Sequence, residues 1–244
     1  MATMTLDELV RQLHAAYGAG LRTVVLYGSA ARGDAVAARS DYNVLVIVDA
    51  IGLAELRAVA ATAAAWAEAK QPPPLTLTTR EWLASADVFP MEYADVLATH
   101  RVLFGTLPME GVRVNPLDLR RELEHQVMGK LLQLRAAILA AGNAAPRQLA
   151  LLEQSLSTMM VLFRGVARLH GEQPSAERDA LARWTGEAAG FDAEPFVRVV
   201  RHVRGEARMA PADAEAVLAR YLAALERLVA HLDAWQPPPA AAAA

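Results

Sequence analysis

The chain has 244 residues, of which 54% are hydrophobic, and a formal net charge of −3 at pH 7. This length suffices for one large domain or two small ones, and the acidic balance argues against strong electrostatic binding to nucleic acid or to an anionic membrane. The chain has no cysteine, which excludes disulfides, thiolate zinc sites and a cysteine nucleophile. Neither a transmembrane helix nor a signal peptide is predicted, so the expected location is the cytoplasm.

The N-terminal part of the chain alternates between helical and strand patterns. Thr5 and Glu8 have the spacing of a capping box, and the apolar residues that follow predict an amphipathic helix. A β-branched segment over residues 22–27 predicts a strand that runs directly into Gly28 and Ser29. The later elements predicted in this part are a strand over 42–48, a helix over 51–69, a strand over 75–78, helices over about 79–86 and 90–99, and a strand over 101–104.

The C-terminal part has helical periodicity almost throughout. Asn115 and Pro116 form a cap and a first helical position, and the long helix that they open ends at Gly142. Further helices are predicted over about 145–170, 175–188, 192–204 and 212–235, and their short links favour an antiparallel bundle. The sequence thus predicts an α+β protein with an N-terminal domain over 1–107, an all-α helical bundle over 115–236 and a low-complexity tail over 237–244.

A candidate phosphate-binding loop follows the first strand. Gly28 and Ser29 stand where the strand ends and a helical turn begins, so backbone N–H groups and a hydroxyl are available to phosphate oxygens. Arg32 comes one turn later and can add charge-assisted hydrogen bonds. These are the donors that a nucleoside triphosphate requires.

Two candidate metal ligands open the second predicted strand. Asp41 and Asn43 are two residues apart, and alternation along a strand that contains both would place them on the same face. Oxygen ligands placed in this way can share a Mg²⁺ ion. Ser40 stands immediately before this pair.

The order of these residues resembles the motif of the nucleotidyltransferase superfamily, the DNA polymerase β-like proteins. The matching residues are Gly28, Ser29, Arg32, Gly33, Ser40 and Asp41. The resemblance covers residues 22–48 and extends loosely to about 107, with a spacing close to the small-molecule (aminoglycoside-type) and antitoxin-like branches. It implies a short mixed sheet with helices, an NTP substrate (ATP being the expected one) and bound Mg²⁺. A C-terminal bundle is also similar to that of the kanamycin and lincosamide nucleotidyltransferases, where it helps to hold the substrate.

The sequence departs from this family at the second metal position, where Asn43 replaces an aspartate. An amide offers one neutral oxygen and cannot bridge two Mg²⁺ ions, and the strand over 75–78 supplies no carboxylate. Glu81 and Glu92 are the acids that could assist Asp41, although Glu81 also has capping-box spacing from Thr78. The loss of a bridging carboxylate is expected to slow transfer by about 10²- to 10⁴-fold, so nucleotide binding is expected to survive better than catalysis.

Three functions are compatible with these residues. The first is an active nucleotidyltransferase, with Asp41 and Asn43 at the catalytic and metal positions, that moves a nucleoside monophosphate onto a small molecule or a protein. The second is a pseudoenzyme that keeps the fold and acts as a regulatory or partner subunit, as in toxin–antitoxin pairs. The third is a ribonuclease activity in the helical domain, because Arg164 and His170 resemble the Arg-x(4–6)-His element of HEPN ribonucleases.

Other residues and partners follow from the same patterns. Glu122 and Glu124 could act as a base toward an acceptor hydroxyl, or could form a solvated helix face that pairs with Arg120 and Arg121. The expected partners are a nucleotide and a small-molecule or protein acceptor, with neither a membrane nor strongly bound nucleic acid. The alanine-rich helices also make a homodimer an expectation.

Overall fold

The computed structural model describes residues 4–32 and 41–237 of the chain. Their contacts divide the chain into two units, a first unit that ends at Val114 and a helical unit that begins at Asn115. The first unit contains both helices and strands, whereas the described part of the helical unit contains helices only. The predicted α+β class and the helical C-terminal part are therefore confirmed.

The described part of the first unit contains a small mixed sheet and its covering helices. The strands are β1 (Leu21–Tyr27), β2 (Asn43–Val48), β3 (Leu75–Thr78) and β4 (His100–Gly105), and the helices are α1 (Leu6–Tyr17), α2 (Leu53–Ala58), α3 (Ala60–Glu68), α4 (Thr79–Ala84) and α5 (Pro90–Ala98). The order across the sheet is β3-β2-β1-β4. β1 is antiparallel to both β2 and β4, and β2 is parallel to β3.

The central strands are buried on both faces of the sheet. On one face, Val24 and Val46 pack with Leu9 of α1 and Trp66 of α3. The opposite face forms a second core cluster with residues of α4 and α5, and its members include Val25, Tyr27, Leu45, Ile47, Trp82, Tyr93 and Val96. Helices therefore cover both faces, which explains why β1 and β2 have nearly continuous apolar sequences.

Among the differences between the predicted elements and the structure, two concern β2 and the helix predicted after it. The helix predicted over 51–69 is two helices, because Val59 adopts φ −95° and ψ −1° and ends α2 before α3 begins. A β-branched residue is a weak helix former, and the alanine-rich composition on either side concealed this break. The second strand begins at Asn43, one residue later than predicted.

The helical unit is built around one central helix. Its helices are α6 (Pro116–Ala141), α7 (Ala145–Leu169), α8 (Arg178–Ala189), α9 (Glu194–Arg204) and α10 (Ala214–Ala234). α7 packs against the other four, and Phe163, Phe196 and Tyr221 form an aromatic cluster between α7, α9 and α10. Gly165 permits a close approach of α6, since a Cβ atom there would lie 2.5 Å from Leu123 Cδ2.

The central helix is unusually apolar. Among the described helices, only α7 has both the length and the composition to cross a membrane, and 44% of its most apolar window is buried within the protein. The core helix of a water-soluble domain has the same composition. Because α7 packs against all four other helices of its unit, we interpret it as a core helix.

Candidate functional site

The candidate site begins at the end of β1. The strand ends at Tyr27, and Gly28 starts a 3-10 turn that runs to Arg32. Gly28 has a φ of +74°, a conformation that glycine adopts without steric cost. A Cβ atom at this position would lie 3.1 Å from Asn43 Nδ2, so the Asn43 amide lies directly against Gly28. These two residues of the predicted motif are therefore neighbours in space.

Tyr27 lies beside Asn43 on one face of the sheet. The two residues are partners in the antiparallel register of β1 and β2, so their side chains share a face. Burial of Tyr27, together with the nearby carboxylates of Glu92 and Asp95, raises the pKa of its phenol to about 12. Both acids belong to α5, which thus brings negative charge to this face. The sequence predicts only Glu92 near the site, because no local pattern reveals how α5 packs.

Asp41 is exposed and precedes β2, which begins at Asn43. The backbone N–H of Tyr42 donates to Gln71 Oε1 at 2.8 Å, and residues 72–74, which lead into the parallel neighbour β3, are prolines without an N–H group. At Tyr42 the side-chain amide of Gln71 therefore accepts the hydrogen bond that a backbone carbonyl would accept within a sheet. The assigned strand thus begins two residues after Asp41, and the placement of Asp41 and Asn43 on one metal-binding face stays a prediction.

The remaining residues of the predicted phosphate site are only partly described. The backbones of Ser29 and Arg32 lie in the turn after β1, and their side chains lie outside the described part of the structure. Ser40 lies wholly outside the described residues. The assignment of these three residues to nucleotide phosphates stays a prediction.

Glu81 caps a helix and lies far from Asn43. Its carboxylate accepts a hydrogen bond from the Thr78 N–H at 2.7 Å, and its own N–H donates to Thr78 Oγ1, which forms the capping box of α4. These hydrogen bonds lower the pKa of the Glu81 carboxyl. Thr78 pairs with Val48, at the opposite end of β2 from Asn43, and five residues of strand span about 17 Å. The capping interpretation of Glu81 is confirmed, and a role beside Asn43 is excluded by distance.

The residues present fit one Mg²⁺ ion better than two. Within residues 4–32 and 41–237, no group of three or more His, Asp or Glu side chains is arranged to hold a metal ion. The Asn43 amide is neutral and cannot bridge two ions or offset their charge. Among the described residues, the neutral amide at position 43 does not suit a two-metal centre, and a single Mg²⁺ ion held by Asp41 stays a prediction.

Sequence comparison with known protein families and with curated proteins finds no relative of this chain. No protein-family model matches the chain, and no curated protein matches it significantly. The resemblance to nucleotidyltransferases therefore continues to rest on the residues of segment 22–48 and stays a prediction.

Arg164 and His170 lie on different sides of α7. An α-helix rises 1.5 Å and turns 100° per residue, so six residues separate two positions by about 9 Å along the axis and about 120° around it. His170 caps the end of α7, and its Nε2 lies 3.0 Å from Nε2 of His231 on α10. The ring centroids are 5.2 Å apart with an interplanar angle of 16°, so the rings meet through their nitrogen edges. One Nε2 donates its hydrogen to the other, so this nitrogen of each ring is engaged within the protein.

This histidine pair predicts a pH dependence of stability. Burial lowers the pKa of both His170 and His231 below the ordinary value of 6.5. The unfolded chain therefore takes up protons before the folded chain does as the pH falls through 6.5, and the free energy of unfolding decreases below that pH. Denaturant titrations between pH 7.5 and about pH 5.5 are expected to show this decrease, and it should be smaller in the double variant His170→Asn/His231→Asn. A free energy of unfolding that stays constant or rises on acidification would contradict the assignment of His170 and His231 as neutral in the folded protein.

The acids near the start of α6 are engaged in contacts along that helix. Glu124 pairs with Arg120 at 3.0 Å, and Glu122 accepts a hydrogen bond from Gln126 at 2.8 Å. Arg121 pairs with Asp118 in place of Glu122. The predicted pairing of Glu124 with Arg120 is confirmed, although this pair is largely shielded from solvent and Arg120 also donates to the Leu232 carbonyl of α10.

Proposed function

We propose that the first unit binds a nucleoside triphosphate, with ATP the expected one, at the turn after β1, and that it has lost most or all nucleotide transfer. The observation that carries this proposal is the contact of Asn43 with Gly28. It brings the second metal position of the resembled motif against the loop that would hold the phosphates. In a nucleotidyltransferase-type site, that is where a metal-bridging carboxylate would be needed, and here the side chain is a neutral amide.

Nucleotide binding requires less of the protein than transfer does. The turn at Gly28 supplies backbone N–H groups, and the sequence adds the Ser29 hydroxyl and the Arg32 guanidinium. Mg²⁺ keeps several waters and takes much of its coordination from substrate phosphates, so the single carboxylate of Asp41 can be enough to position it. These features support a bound Mg²⁺–nucleotide complex.

Transfer requires charge that this site lacks. Two closely spaced Mg²⁺ ions need anionic bridging oxygens, and the described residues supply a neutral amide at position 43 and no carboxylate on β3. Glu81, the nearest acid along the chain after β3, is committed to a helix cap. A nucleotide-binding pseudoenzyme that regulates or accompanies another protein therefore agrees better with these residues than an active transferase with a small-molecule or protein acceptor.

Calorimetric titration with ATP, with and without Mg²⁺, tests the proposed binding. We expect saturable binding that Mg²⁺ strengthens, and we expect Asp41→Ala to abolish the strengthening by Mg²⁺ because it removes the only carboxylate assigned to the ion. Asp41 is exposed, so the substitution should leave folding intact, and Glu68→Ala, another exposed acid of the first unit, is the matched control. The absence of any ATP binding by the wild-type protein would refute the proposal.

A further inference from the structure

A cavity in the helical unit has room for a small aromatic molecule. It lies between α6, α7 and α10 and has a volume of about 210 Å³. Each of the three helices places one buried apolar side chain in the wall of the cavity: Leu134 from α6, Met159 from α7 and Leu225 from α10. An apolar cavity of about 150 Å³ takes up benzene. This cavity can therefore hold one aromatic ring together with a short substituent.

The same cavity contains hydroxyl groups that have unused bonding capacity. The Ser155 hydroxyl donates to the Leu152 carbonyl at 2.9 Å, so the Tyr221 hydroxyl, 2.7 Å from Ser155 Oγ, donates to Ser155. Burial raises the pKa of Tyr221, which keeps this phenol neutral. The Thr158 hydroxyl also lines the cavity and makes no hydrogen bond within the described residues, so it is available as a donor.

The charge of the cavity wall comes from Lys130. It is the only charged residue among those that line the cavity, and it is one of only two lysines in the whole chain. Its ammonium group donates to Gln133 Oε1 at 3.0 Å, which leaves two of its three hydrogens without a partner in the described part of the chain. A cation with spare donors beside an apolar cavity complements an anion that carries an apolar body.

We propose that this cavity binds a small organic monoanion, an aromatic ring with a short carboxylate arm. The ring occupies the apolar wall at Leu134, Met159 and Leu225, and the carboxylate accepts hydrogen bonds from Lys130 and Thr158. This site belongs to the helical unit alone and does not depend on nucleotide binding by the first unit.

Phenylacetate and its neutral analogue phenylacetamide test this proposal, because they have nearly the same shape and differ in charge. Calorimetric or NMR titration of the full chain is expected to show saturable binding of both, with phenylacetate bound about tenfold or more tightly, as for a hydrogen bond to a charged group. Lys130→Gln should remove this preference for the acid. Lys70→Gln, at the only other lysine, is the matched control and should retain it.

The location of the site is tested by filling the cavity. Ala137 lines it, and Ala137→Phe should abolish binding of both probes while the circular dichroism spectrum remains that of the wild type. Unchanged affinity in folded Ala137→Phe would overturn the proposal. If this variant does not fold, the Lys130→Gln comparison decides alone. No saturable binding of phenylacetate at millimolar concentration, or a preference for the acid that persists in Lys130→Gln, would equally overturn it.

Discussion

Replacing Asn43 with Asp is expected to increase nucleotide transfer by about a hundredfold or more, since it restores a dominant electrostatic group. The Asn43 amide lies against Gly28, and aspartate has nearly the same size, so the carboxylate would occupy the same place beside the turn. The new negative charge also strengthens Mg²⁺ binding, because hard cations prefer carboxylates to amides. Release of labelled pyrophosphate from ATP labelled at the γ-phosphate measures the transfer, with water as the acceptor of the nucleoside monophosphate when no other acceptor is supplied.

A second substitution controls for this gain of activity. Asp41→Ala in the Asn43→Asp background should return pyrophosphate release to the wild-type level, because it removes the other carboxylate of the pair. Asn43→Ala should leave the wild-type level unchanged, since the amide contributes little to a metal centre. If Asn43→Asp binds ATP and Mg²⁺ but is no faster than the wild type, then the neutral amide is not what limits transfer.

Replacing Trp82 with Ala is expected to destabilise the first unit by about 3–5 kcal/mol, the cost of truncating a large buried aromatic residue. Trp82 is fully buried, stacks on Tyr93 with ring centroids 4.3 Å apart, and donates from Nε1 to the Pro108 carbonyl at 2.6 Å. The Tyr93 hydroxyl in turn donates to the Trp82 carbonyl at 2.8 Å. This one side chain thus connects α4, α5 and the segment that follows β4.

Denaturant unfolding of the full chain measures this loss. Trp82→Phe is the matched variant, because it keeps a ring in the core and leaves the Pro108 carbonyl without its donor. Its expected cost is about 1–3 kcal/mol, the penalty for an unsatisfied buried polar group. A decrease below about 1 kcal/mol for Trp82→Ala would contradict the assignment of this residue to the core.

The features that the sequence predicts correctly depend on residues close together in the chain. The capping box joins Thr78 and Glu81, three positions apart, and the Asn115 side-chain oxygen accepts a hydrogen bond from the N–H of Leu117 two residues later. The strand that ends at Tyr27 is likewise visible as a local pattern of β-branched residues. Such interactions leave a recognisable spacing in the sequence, which is why the elements around the candidate site could be predicted.

The features that the sequence does not predict depend on distant residues. The Tyr42 N–H donates to the side chain of Gln71, which lies 29 residues later, at the point where β2 begins. The carboxylates of Glu92 and Asp95 reach the environment of Tyr27 only because α5 packs on that face of the sheet. The contact of His170 with His231 joins residues 61 positions apart. None of these contacts leaves a periodic or spaced pattern in the chain.

We propose that the first unit binds a nucleotide and has lost most or all nucleotide transfer. Equilibrium binding of ATP labelled at the α-phosphate, in the presence of Mg²⁺, followed by analysis of the bound nucleotide, tests both parts at once. We expect the label to be retained by the wild-type protein, to be lost more readily from Asp41→Ala, and to be recovered as intact ATP. Failure to retain any label, or recovery of the label as a nucleoside monophosphate attached to an acceptor, would contradict the claim.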